Sequence, residues 1–498
     1  EDGVSTFILM TDDEAMLEQF AREVAPALRA AAERALPGAF AGPRIRRAAA
    51  RAKRRAGIAY DAIPVSLAES AVEPGDIAYP RVRSTYFRGG APGLALRPAT
   101  VSDVVDALAF ARAHPDLPLA VRSGGHGISG RSTNDGGIVI SLARMNAIET
   151  LDPAARRVRI GPGARWMDVA AALAPQGWAL SSGDYGGVGV GGLATAGGVG
   201  WLARAHGLTI DRLRAVEMVL ADGAVVRADD EDHADLFWAV RGAGANFGIV
   251  TSFEFEANEI GNIGWAQLIF DASDTVGLLQ RWGAAVEASP RDLTAQFVMG
   301  APRAGQPPIA QVMAMIDSGD PEIIVARLQP LAEIGPLYDA SVSVTTYASV
   351  MANAQGEHYT DRGEPIGHSG LVTHITPDVA AASARLIGSG ATYFFQIRAV
   401  GGAVADVAPD ATAYANRAAN FQIGAFGASR RRLDPLWDEL RDHFSGLYLS
   451  FETDRGIERL HDAFPPRTLA RLRDLKARYD PDNVFRDNFN IAPQPIPR

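Results

Sequence analysis

The stretch Val121-Arg122-Ser123-Gly124-Gly125-His126-Gly127 is the part of the chain from which the fold can best be inferred. A short apolar strand leads into two consecutive glycines, and a histidine follows them. Adjacent glycines let a backbone approach a large anion and present several N–H groups to it. The histidine would then be held against the bound group. A glycine-rich turn with an incidental surface histidine explains the same residues, and the stretch alone does not separate the two interpretations.

Two further glycine clusters favour a large ligand. The first covers residues 181–192 and continues through Gly197, Gly198 and Gly200, and the second covers residues 241–248. None of these loops contains lysine. Three lysine-free, glycine-rich loops in one region predict an extended cofactor that is held by backbone groups along its length.

The composition excludes several classes of protein. The chain has 498 residues, enough for two or three domains, and its net charge of −10 argues against a nucleic-acid binder. It contains no cysteine, which removes disulfides, thiolate metal sites and thiol catalysis together. No apolar run reaches the roughly 18 residues that suggest a transmembrane helix, and no signal peptide is visible from Glu1 onward. We therefore expect a soluble protein and leave its compartment open, with the cytoplasm favoured.

The N-terminal region is predicted to be helical and to carry a basic cluster. Capping residues and apolar residues at helical spacing predict a helix over residues 12–36, which Pro26 should kink. Seven cations follow in residues 44–55. A membrane surface is one possible partner for them, but packing on the acidic body of the chain, or a solvated helix face, is the favoured interpretation. The cations are Arg44, Arg46, Arg47, Arg51, Lys53, Arg54 and Arg55.

The rest of the chain is predicted to form an α+β body. A strand at 94–96, a helix capped at Ser102 and a strand from Leu119 make a βαβ-like unit, and Asp222-Gly223 predicts a hairpin. The second half is predicted to contain strands at 266–270, 293–299, 311–316 and 393–400, and helices at 276–288 and 377–386. The predicted segments are a helical extension over 1–75, a first domain over 76–263, a second, sheet-based domain over 264–450 and a returning C-terminal segment over 451–498.

A nicotinamide-binding fingerprint is a weaker alternative. Residues 187–192 satisfy G-x-G-x-x-G, with Asp211 downstream. The preceding stretch is a polar turn rather than an apolar strand. The expected helix also contains Gly197, Gly198 and Gly200, each costing about 1 kcal/mol relative to alanine. We therefore do not expect a Rossmann site.

Other catalytic and metal-binding motifs are absent from the sequence. It contains no G-x-x-x-x-G-K-[ST], no G-x-S-x-G and no H-E-x-x-H. The histidines in the second part of the chain are scattered without metal-ligand spacing, so no metal site is expected. These histidines are His206, His233, His358, His368, His374, His443 and His461.

The motif Arg122-Ser123-Gly124-Gly125-His126, with residues 133–137 (Thr-Asn-Asp-Gly-Gly), resembles the flavin-anchoring motif of the FAD-linked oxidases of the vanillyl-alcohol oxidase superfamily. Within that superfamily the chain is most similar to the berberine-bridge-enzyme-like branch. The resemblance covers about residues 75–498, with the motifs in the family's order. The further matching stretches are 188–192, 197–200, 235–242, 246–251, 401–404 and 479–483.

The resemblance implies both the fold and the cofactor. It implies a two-part FAD-binding domain of the PCMH type and a substrate domain with a large antiparallel sheet flanked by helices. FAD would be joined covalently to His126 through its 8α-methyl group, with residues 122–127 around the pyrophosphate. Some relatives add a cysteine link at the position of Tyr185, which the absence of cysteine excludes here. The implied cofactor contacts are Arg122, Ser123, Gly124, Gly125, His126, Gly127, Ser182, Gly183, Val188, Gly189, Gly192, Gly197, Gly198, Gly200, Gly248, Val250, Asn488 and Asn490.

The proton acceptor is where the sequence departs from the family pattern. Many relatives carry Tyr-x-Asn-Tyr with the last tyrosine as base, whereas residues 448–451 are Tyr-Leu-Ser-Phe. The phenylalanine, Phe451, cannot accept a proton. The candidates for catalysis are therefore Tyr393, Gln396 and Tyr448, with Arg398, His368 and Ser369 as further residues expected near the flavin, although each could equally be a residue of the sheet or the surface.

The resemblance implies an oxidase. Val188 occupies a position that controls dioxygen access in this branch, and a valine there resembles the oxidases. We expect hydride removal from a C–H bond next to O or N of a small organic substrate, with dioxygen reduced to hydrogen peroxide. Amines, alcohols, sugars and secondary metabolites all remain open as substrates. The alternatives are an FAD-dependent dehydrogenase with another acceptor and, because of Phe451, a flavin-binding protein with little turnover.

Overall fold

The computed structural model describes residues 48–354 and 364–493, together with residues 13, 16, 19–24, 27 and 46. Within these residues the fold is α+β, as predicted. The strands are β1 (Leu94–Leu96), β2 (Leu119–Arg122), β3 (Ile138–Ser141), β4 (Ile148–Asp152), β5 (Arg157–Ile160), β6 (Trp178–Ala179), β7 (Leu213–Leu220), β8 (Val225–Asp229), β9 (Gly248–Glu256), β10 (Asn258–Glu259), β11 (Asn262–Asp271), β12 (Leu293–Gly300), β13 (Ile309–Ile316), β14 (Leu337–Thr346), β15 (Gly367–Val372), β16 (Thr392–Ala399) and β17 (Phe421–Gly427).

The α-helices lie between and after these strands, and several short helical turns join them. The α-helices are α1 (Ala48–Arg51), α2 (Val65–Ala68), α3 (Tyr79–Arg83), α4 (Val101–Arg112), α5 (Trp166–Leu173), α6 (Val190–Ala196), α7 (Ala203–His206), α8 (Ala234–Val240), α9 (Thr275–Ala288), α10 (Pro321–Ala332), α11 (Tyr347–Met351), α12 (Pro377–Gly388), α13 (Arg430–Arg441), α14 (Ile457–Ala463) and α15 (Pro466–Tyr479). The 3-10 helices are Tyr60–Ala62, Ala174–Gln176, Thr209–Arg212, Gly402–Val404 and Leu449–Phe451, and Phe20–Val24 is a π-helix.

A three-stranded parallel sheet carries the glycine-histidine stretch at the end of its edge strand β2. The strand order is β1-β3-β2, so the predicted βαβ-like unit is only partly right. β1, α4 and β2 follow one another in sequence, but β3 inserts between the two strands and pairs with both. All four residues of β3 are buried, which suits a central parallel strand covered on both faces.

Helix α4 is capped two residues earlier than predicted. Thr100, not Ser102, is the N-cap: its hydroxyl accepts a hydrogen bond from the Asp103 N–H at 3.1 Å. The Asp103 carboxylate in turn accepts from the Thr100 N–H at 3.2 Å. Ser102 could not form this reciprocal capping box, because Val105 stands where the acidic partner would be needed.

A five-stranded antiparallel sheet with the order β4-β5-β9-β7-β8 forms the second layer of the first half of the chain. The predicted hairpin is confirmed: β7 and β8 pair in antiparallel fashion, and Gly223 in the turn has φ +93°, a value that favours glycine. Phe253 and Phe255 of β9 are fully buried and pack in one core with Trp166 of α5.

The large antiparallel sheet implied by the resemblance is confirmed. Its seven strands have the order β14-β11-β13-β12-β16-β17-β15, and β11, β12, β13 and β16 contain the predicted strands. Phe395 and Ile397 of β16 pack in a core with residues of helices α9, α12 and α13. Because side chains alternate along a strand, Gln396 and Arg398 lie on the opposite face, where both are buried.

The C-terminal segment packs against the five-stranded sheet. Leu469, Leu472 and other apolar residues of α15 belong to the same core as Phe253. The Lys476 ammonium is fully buried, pairs with Asp480 at 2.7 Å and also donates to the Asn246 carbonyl at 2.7 Å. These contacts agree with a returning segment, while the predicted bounds of the four segments stay a prediction.

Part of the basic cluster packs on acidic groups of the chain. The Arg46 and Arg54 guanidinium groups pair with the Glu73 carboxylate at 2.9 and 2.7 Å, and the Glu73 side chain is fully buried. Arg44, Arg47 and most of the predicted helix over residues 12–36 lie outside the described residues. Within residues 48–354 and 364–493, no helix is long and apolar enough to cross a membrane.

Candidate active site

His126 lies in an aromatic pocket between two tyrosines. Its ring stacks on Tyr86, with the centroids 4.8 Å apart and the planes 26° apart, and its centroid lies 5.5 Å from that of Tyr185. A side-chain carbon at Gly187 would come within 3.3 Å of the His126 Nε2 atom. The glycine therefore leaves the room that the imidazole occupies.

The same surroundings determine the charge of His126. Burial lowers the pKa of His126 to about 4, and the nearby cations Arg165 and Arg122 act in the same direction. The imidazole is therefore neutral at neutral pH and keeps a lone pair on one ring nitrogen. A neutral imidazole of this kind can act as a nucleophile.

The turn after β2 presents backbone N–H groups that the protein does not use. In the described part of the chain, no residue accepts a hydrogen bond from the N–H groups of residues 124–127. Arg122, predicted near the pyrophosphate, connects this turn to the preceding segment. Its Nη1 donates to the carbonyls of Val82 and Ser84, both at 2.8 Å. Successive N–H groups in such a turn form a concave site for an anion.

Most of the glycines predicted at the cofactor are required by protein packing. Gly124 and Gly189 lie against each other, and a side-chain carbon on Gly189 would be 2.2 Å from the Gly124 nitrogen. A side-chain carbon on Gly200 would lie 1.9 Å from the Ser182 carbonyl oxygen, and one on Gly248 would lie 2.6 Å from a backbone oxygen. These glycines let the loops approach one another, whatever ligand the loops hold.

Two of the predicted glycines face open space instead. Gly127 and Gly192 are exposed, and a side-chain carbon at either position would meet nothing within 4 Å. A ligand could therefore reach the backbone at these two positions. Sequence alone could not separate them from the packing glycines, because both uses require the same residue.

The remaining predicted cofactor residues of this region are held by the protein. Ser182 and Tyr347 share a hydrogen bond of 2.6 Å between their hydroxyl groups. Gly197 has φ +136°, which strongly favours glycine. Gly183 adjoins Leu193, and Val188 packs, partly buried, against the core of the five-stranded sheet. Val250 is buried in β9.

Asn488 and Asn490 line a cavity of about 460 Å³. The Asn488 Oδ1 atom accepts a hydrogen bond from the Ser129 hydroxyl at 3.0 Å. The Asn490 Oδ1 atom is buried and has no partner in the described part of the protein. Four arginines give the cavity a positive wall. They were not among the residues predicted from the sequence, because they come from separate segments and no local pattern marks them. They are Arg131, Arg430, Arg455 and Arg486.

The face of the seven-stranded sheet that carries Gln396 and Arg398 brings them together with an aspartate. The Gln396 Nε2 atom donates to Gln296 Oε1 at 2.7 Å and lies 3.4 Å from Asp184 Oδ2. The Arg398 guanidinium lies 3.7 Å from the ring centroid of Phe451 and 3.6 Å from the same aspartate oxygen. Sequence reasoning missed Asp184, because 212 positions separate it from Gln396.

The two tyrosine candidates have different surroundings. Tyr393 is 50% exposed at an irregular step in the pairing of β16 with β17. Tyr393 lies three positions before Gln396, so regular alternation does not place the two side chains on the same face of the sheet. Tyr448 is buried, accepts a hydrogen bond from the Gly198 N–H at 3.1 Å and stacks on Phe451 with the centroids 6.0 Å apart. The catalytic roles of both tyrosines stay predictions.

His368 and Ser369 support the segment that carries Tyr448. The His368 ring nitrogens lie 3.0 Å from Glu452 Oε1 and 2.9 Å from Asp434 Oδ1. Burial lowers the pKa of His368, but the hydrogen bonds and charges of the two carboxylates outweigh burial and raise it. The Ser369 hydroxyl accepts a hydrogen bond from the Tyr448 N–H at 3.2 Å.

Two family models match this chain. The model of the FAD binding domain matches residues 92–229, and the model of berberine and berberine-like proteins matches residues 461–492. The first match contains the glycine-histidine stretch and the glycine cluster at residues 181–192. The second match covers α15 and the segment that carries Asn488 and Asn490.

Similar proteins extend over most of the chain. The (R)-6-hydroxynicotine oxidase of Paenarthrobacter nicotinovorans is 30% identical over 466 residues, which are 87% of this chain and 98% of that protein. The crystal structure of 6-hydroxy-D-nicotine oxidase from Arthrobacter nicotinovorans matches with a TM-score of 0.77 and 26% identity, covering 87% and 100% of the two chains. Glucooligosaccharide oxidase from Acremonium strictum, which carries a 6-S-cysteinyl, 8α-N1-histidyl FAD, shares the fold with a TM-score of 0.73 and 21% identity, covering 86% and 97%.

The residues implied as cofactor contacts fit an FAD molecule. Unused N–H groups at residues 124–127, the open backbone at Gly127 and Gly192, and the unpartnered Asn490 oxygen all suit a long, anionic cofactor that is held by backbone and polar groups. The 30% identity to (R)-6-hydroxynicotine oxidase, over 98% of that protein, assigns the chain to a family. The chain therefore belongs to the berberine-bridge-enzyme-like branch of the vanillyl-alcohol oxidase superfamily and is an FAD-linked oxidoreductase.

Proposed function

We propose that the protein is an oxidase whose FAD is joined to it by one covalent link through His126. The observation that carries the proposal is the neutral imidazole of this residue, with its pKa lowered to about 4, enclosed by Tyr86 and Tyr185. A neutral ring nitrogen can form a bond to carbon, whereas a protonated ring has no free lone pair for it.

The chain's own groups support this assignment. Bound FAD would supply the acceptor of two electrons from the substrate. The N–H groups of residues 124–127 would face its diphosphate, because they have no acceptor among the described residues. The Ser123 hydroxyl donates to the Pro162 carbonyl at 2.6 Å, which holds the turn in place beside Gly189.

A single link follows from the composition. The chain has no cysteine, and Tyr185 stands at the position of the second link in two-link relatives. The Tyr185 ring still borders His126, so it would contact the attached cofactor without bonding to it. The expected chemistry is removal of hydride from a C–H bond next to O or N of a small organic molecule, with dioxygen as the final acceptor and hydrogen peroxide as product.

Two alternatives are distinguished from this proposal. A dehydrogenase that uses another acceptor would have the same cofactor site, and the argument against it is Val188 together with the oxidase names of the similar proteins. A flavin-binding protein with little turnover is favoured by Phe451, which replaces the usual tyrosine base.

Anaerobic reduction followed by exposure to air tests the proposal. The purified holoprotein is mixed with (R)-6-hydroxynicotine, cellobiose, benzyl alcohol or benzylamine while the visible flavin band is recorded. We expect at least one compound to bleach the band, and air to restore it within seconds with formation of peroxide. Recovery over many minutes would indicate a dehydrogenase, and no bleaching by any compound would favour the protein with little turnover.

A further inference from the structure

Asp184 lies between the pocket of His126 and the face of the large sheet that carries Gln396 and Arg398. It directly precedes Tyr185, whose ring centroid lies 5.5 Å from that of His126. On its other side, the Asp184 Oδ2 atom lies 3.4 Å from Gln396 Nε2 and 3.6 Å from Arg398 Nε. The Asp184 side chain is 21% exposed, so a ligand can reach it.

The backbone of Asp184 is held firmly enough to position its carboxylate. Its carbonyl accepts hydrogen bonds from Trp201 Nε1 at 3.3 Å and from Asn353 Nδ2 at 3.1 Å. Trp201 is buried and packs edge-on against Trp265. A functional side chain on such a supported backbone keeps its geometry when the ligand binds.

Arg398 carries unused hydrogen-bond donors toward the same space. Its side chain is 2% exposed, and its Nη1 donates to the Val199 carbonyl at 3.2 Å. The Nε and Nη2 atoms are buried and have no hydrogen-bond partner in the part of the chain that the structure describes. The Asp184 oxygen at 3.6 Å is an ionic partner beyond hydrogen-bond distance. Buried donors without partners are costly, which points to a bound molecule that completes them.

We infer that Asp184 accepts the proton in substrate oxidation and that Arg398 orients the substrate beside it. The inference rests on the proposed function. Bound FAD would accept the hydrogen of the substrate C–H bond together with both electrons of that bond. The O–H or N–H bond on the neighbouring atom breaks, its proton goes to the Asp184 carboxylate, and its electrons form the new C=O or C=N bond. Both hydrogens and both electrons removed from the substrate are thereby accounted for.

The other groups near Phe451 are less suited to this role. A carboxylate is ionised at neutral pH and can accept a proton at once, whereas a tyrosine hydroxyl must first lose its own. Tyr448 already accepts a hydrogen bond from Gly198 within an apolar cluster. The Gln396 amide is not basic. Asp184 thus takes the role that Phe451 cannot fill.

Sulfite binding tests the placement of the two charges without any substrate. Sulfite adds reversibly to oxidised flavin, and its anionic charge makes the affinity sensitive to nearby charges. We expect Asp184→Asn to raise the sulfite affinity about tenfold and Arg398→Met to lower it about tenfold, because the two side chains have opposite charges. Damage to folding would not produce opposite changes. Unchanged affinity in Asp184→Asn would overturn the inference.

The rate of flavin reduction tests the proton transfer itself. With a compound that bleaches the wild type, anaerobic reduction should be about 100-fold slower or more in Asp184→Asn, and Asp184→Glu should recover part of the rate. Asp406→Asn is the matched control, since Asp406 pairs with Arg291 at the surface, and it should behave as the wild type. An Asp184→Asn variant that is reduced at the wild-type rate refutes the inference and leaves the proposed function intact. A wild type that no compound bleaches counts against the proposed function, while the sulfite result still decides the placement of Asp184.

Discussion

Single glycines serve two different purposes in the flavin-anchoring loops, and two alanine substitutions separate them. A side-chain carbon at position 200 would lie 1.9 Å from the Ser182 carbonyl oxygen, which cannot move away as a flexible side chain can. We expect Gly200→Ala to lower the free energy of unfolding by about 3 kcal/mol, the upper part of the range for overpacked cores. Chemical denaturation of the holoprotein, beside that of the wild type, measures this change.

Gly192→Ala is the matched control for that prediction. Position 192 lies in α6, and an added carbon there meets nothing within 4 Å. Alanine favours a helix by up to about 1 kcal/mol over glycine, so stability should stay the same or rise. We expect this variant to bind less flavin, because the open side of Gly192 is the side proposed to face the cofactor. Equal losses of stability in both variants would contradict the division into packing and ligand-facing glycines.

Elements are held to one another by a carboxylate–histidine–carboxylate cluster in which His368 and Glu452 are buried and Asp434 is 39% exposed. His368 of β15 bridges Asp434 of α13 and Glu452, which follows the 3-10 helix that carries Phe451. Burial opposes the charged form of His368, but the two carboxylates outweigh it and raise the pKa of this histidine above its usual value. A raised pKa in the folded state stabilises the protein below the unfolded-state value and loses that effect as the pH rises through the folded value.

The raised pKa of His368 predicts how the stability of the His368→Gln variant depends on pH. The variant should be less stable than the wild type by a larger margin at about pH 6 than at about pH 9, because the charged imidazole contributes only at the lower pH. Urea denaturation of both proteins at the two pH values measures the margin. A margin that is constant, or that grows with pH, would show that His368 is not held in its charged form.

Patterns within one element were predictable from the sequence, and contacts between distant elements were not. The strands β11, β12, β13 and β16 and the hairpin at Gly223 follow from alternation and turn residues within a few positions. The insertion of β3 between β1 and β2 depends on pairing that no local pattern records. The contact of Asp184 with Gln396 spans 212 positions, so the residue that we infer to be the proton acceptor was not among the sequence candidates.

At the scale of the whole molecule, one buried lysine of α15, Lys476, joins the C-terminal segment to the first half of the chain. The Lys476 ammonium pairs with Asp480 and donates to the carbonyls of Asn246 and Phe485, and both charged side chains are fully buried. Lys476→Met should lower the free energy of unfolding by about 3–5 kcal/mol, because it leaves the Asp480 charge buried without its partner. Denaturant titration of the holoprotein, beside that of the wild type, checks this value.

Arg478 in the same helix provides the comparison. Its guanidinium pairs with Asp235, but the two side chains are 60% and 28% exposed. Solvent screens such a pair, so Arg478→Met should cost no more than about 1 kcal/mol. If Lys476→Met were as mild as Arg478→Met, the returning C-terminal segment would not depend on the buried pair.

In the whole holoprotein, we expect a single covalent bond between His126 and FAD. The most direct measurement is the mass of the acid-denatured wild type beside that of His126→Ala. We expect the denatured wild type to stay yellow and to carry the mass of one FAD, while the variant has the mass of the polypeptide alone. Release of the flavin into the acid supernatant, with a wild-type mass equal to that of the polypeptide, would contradict it.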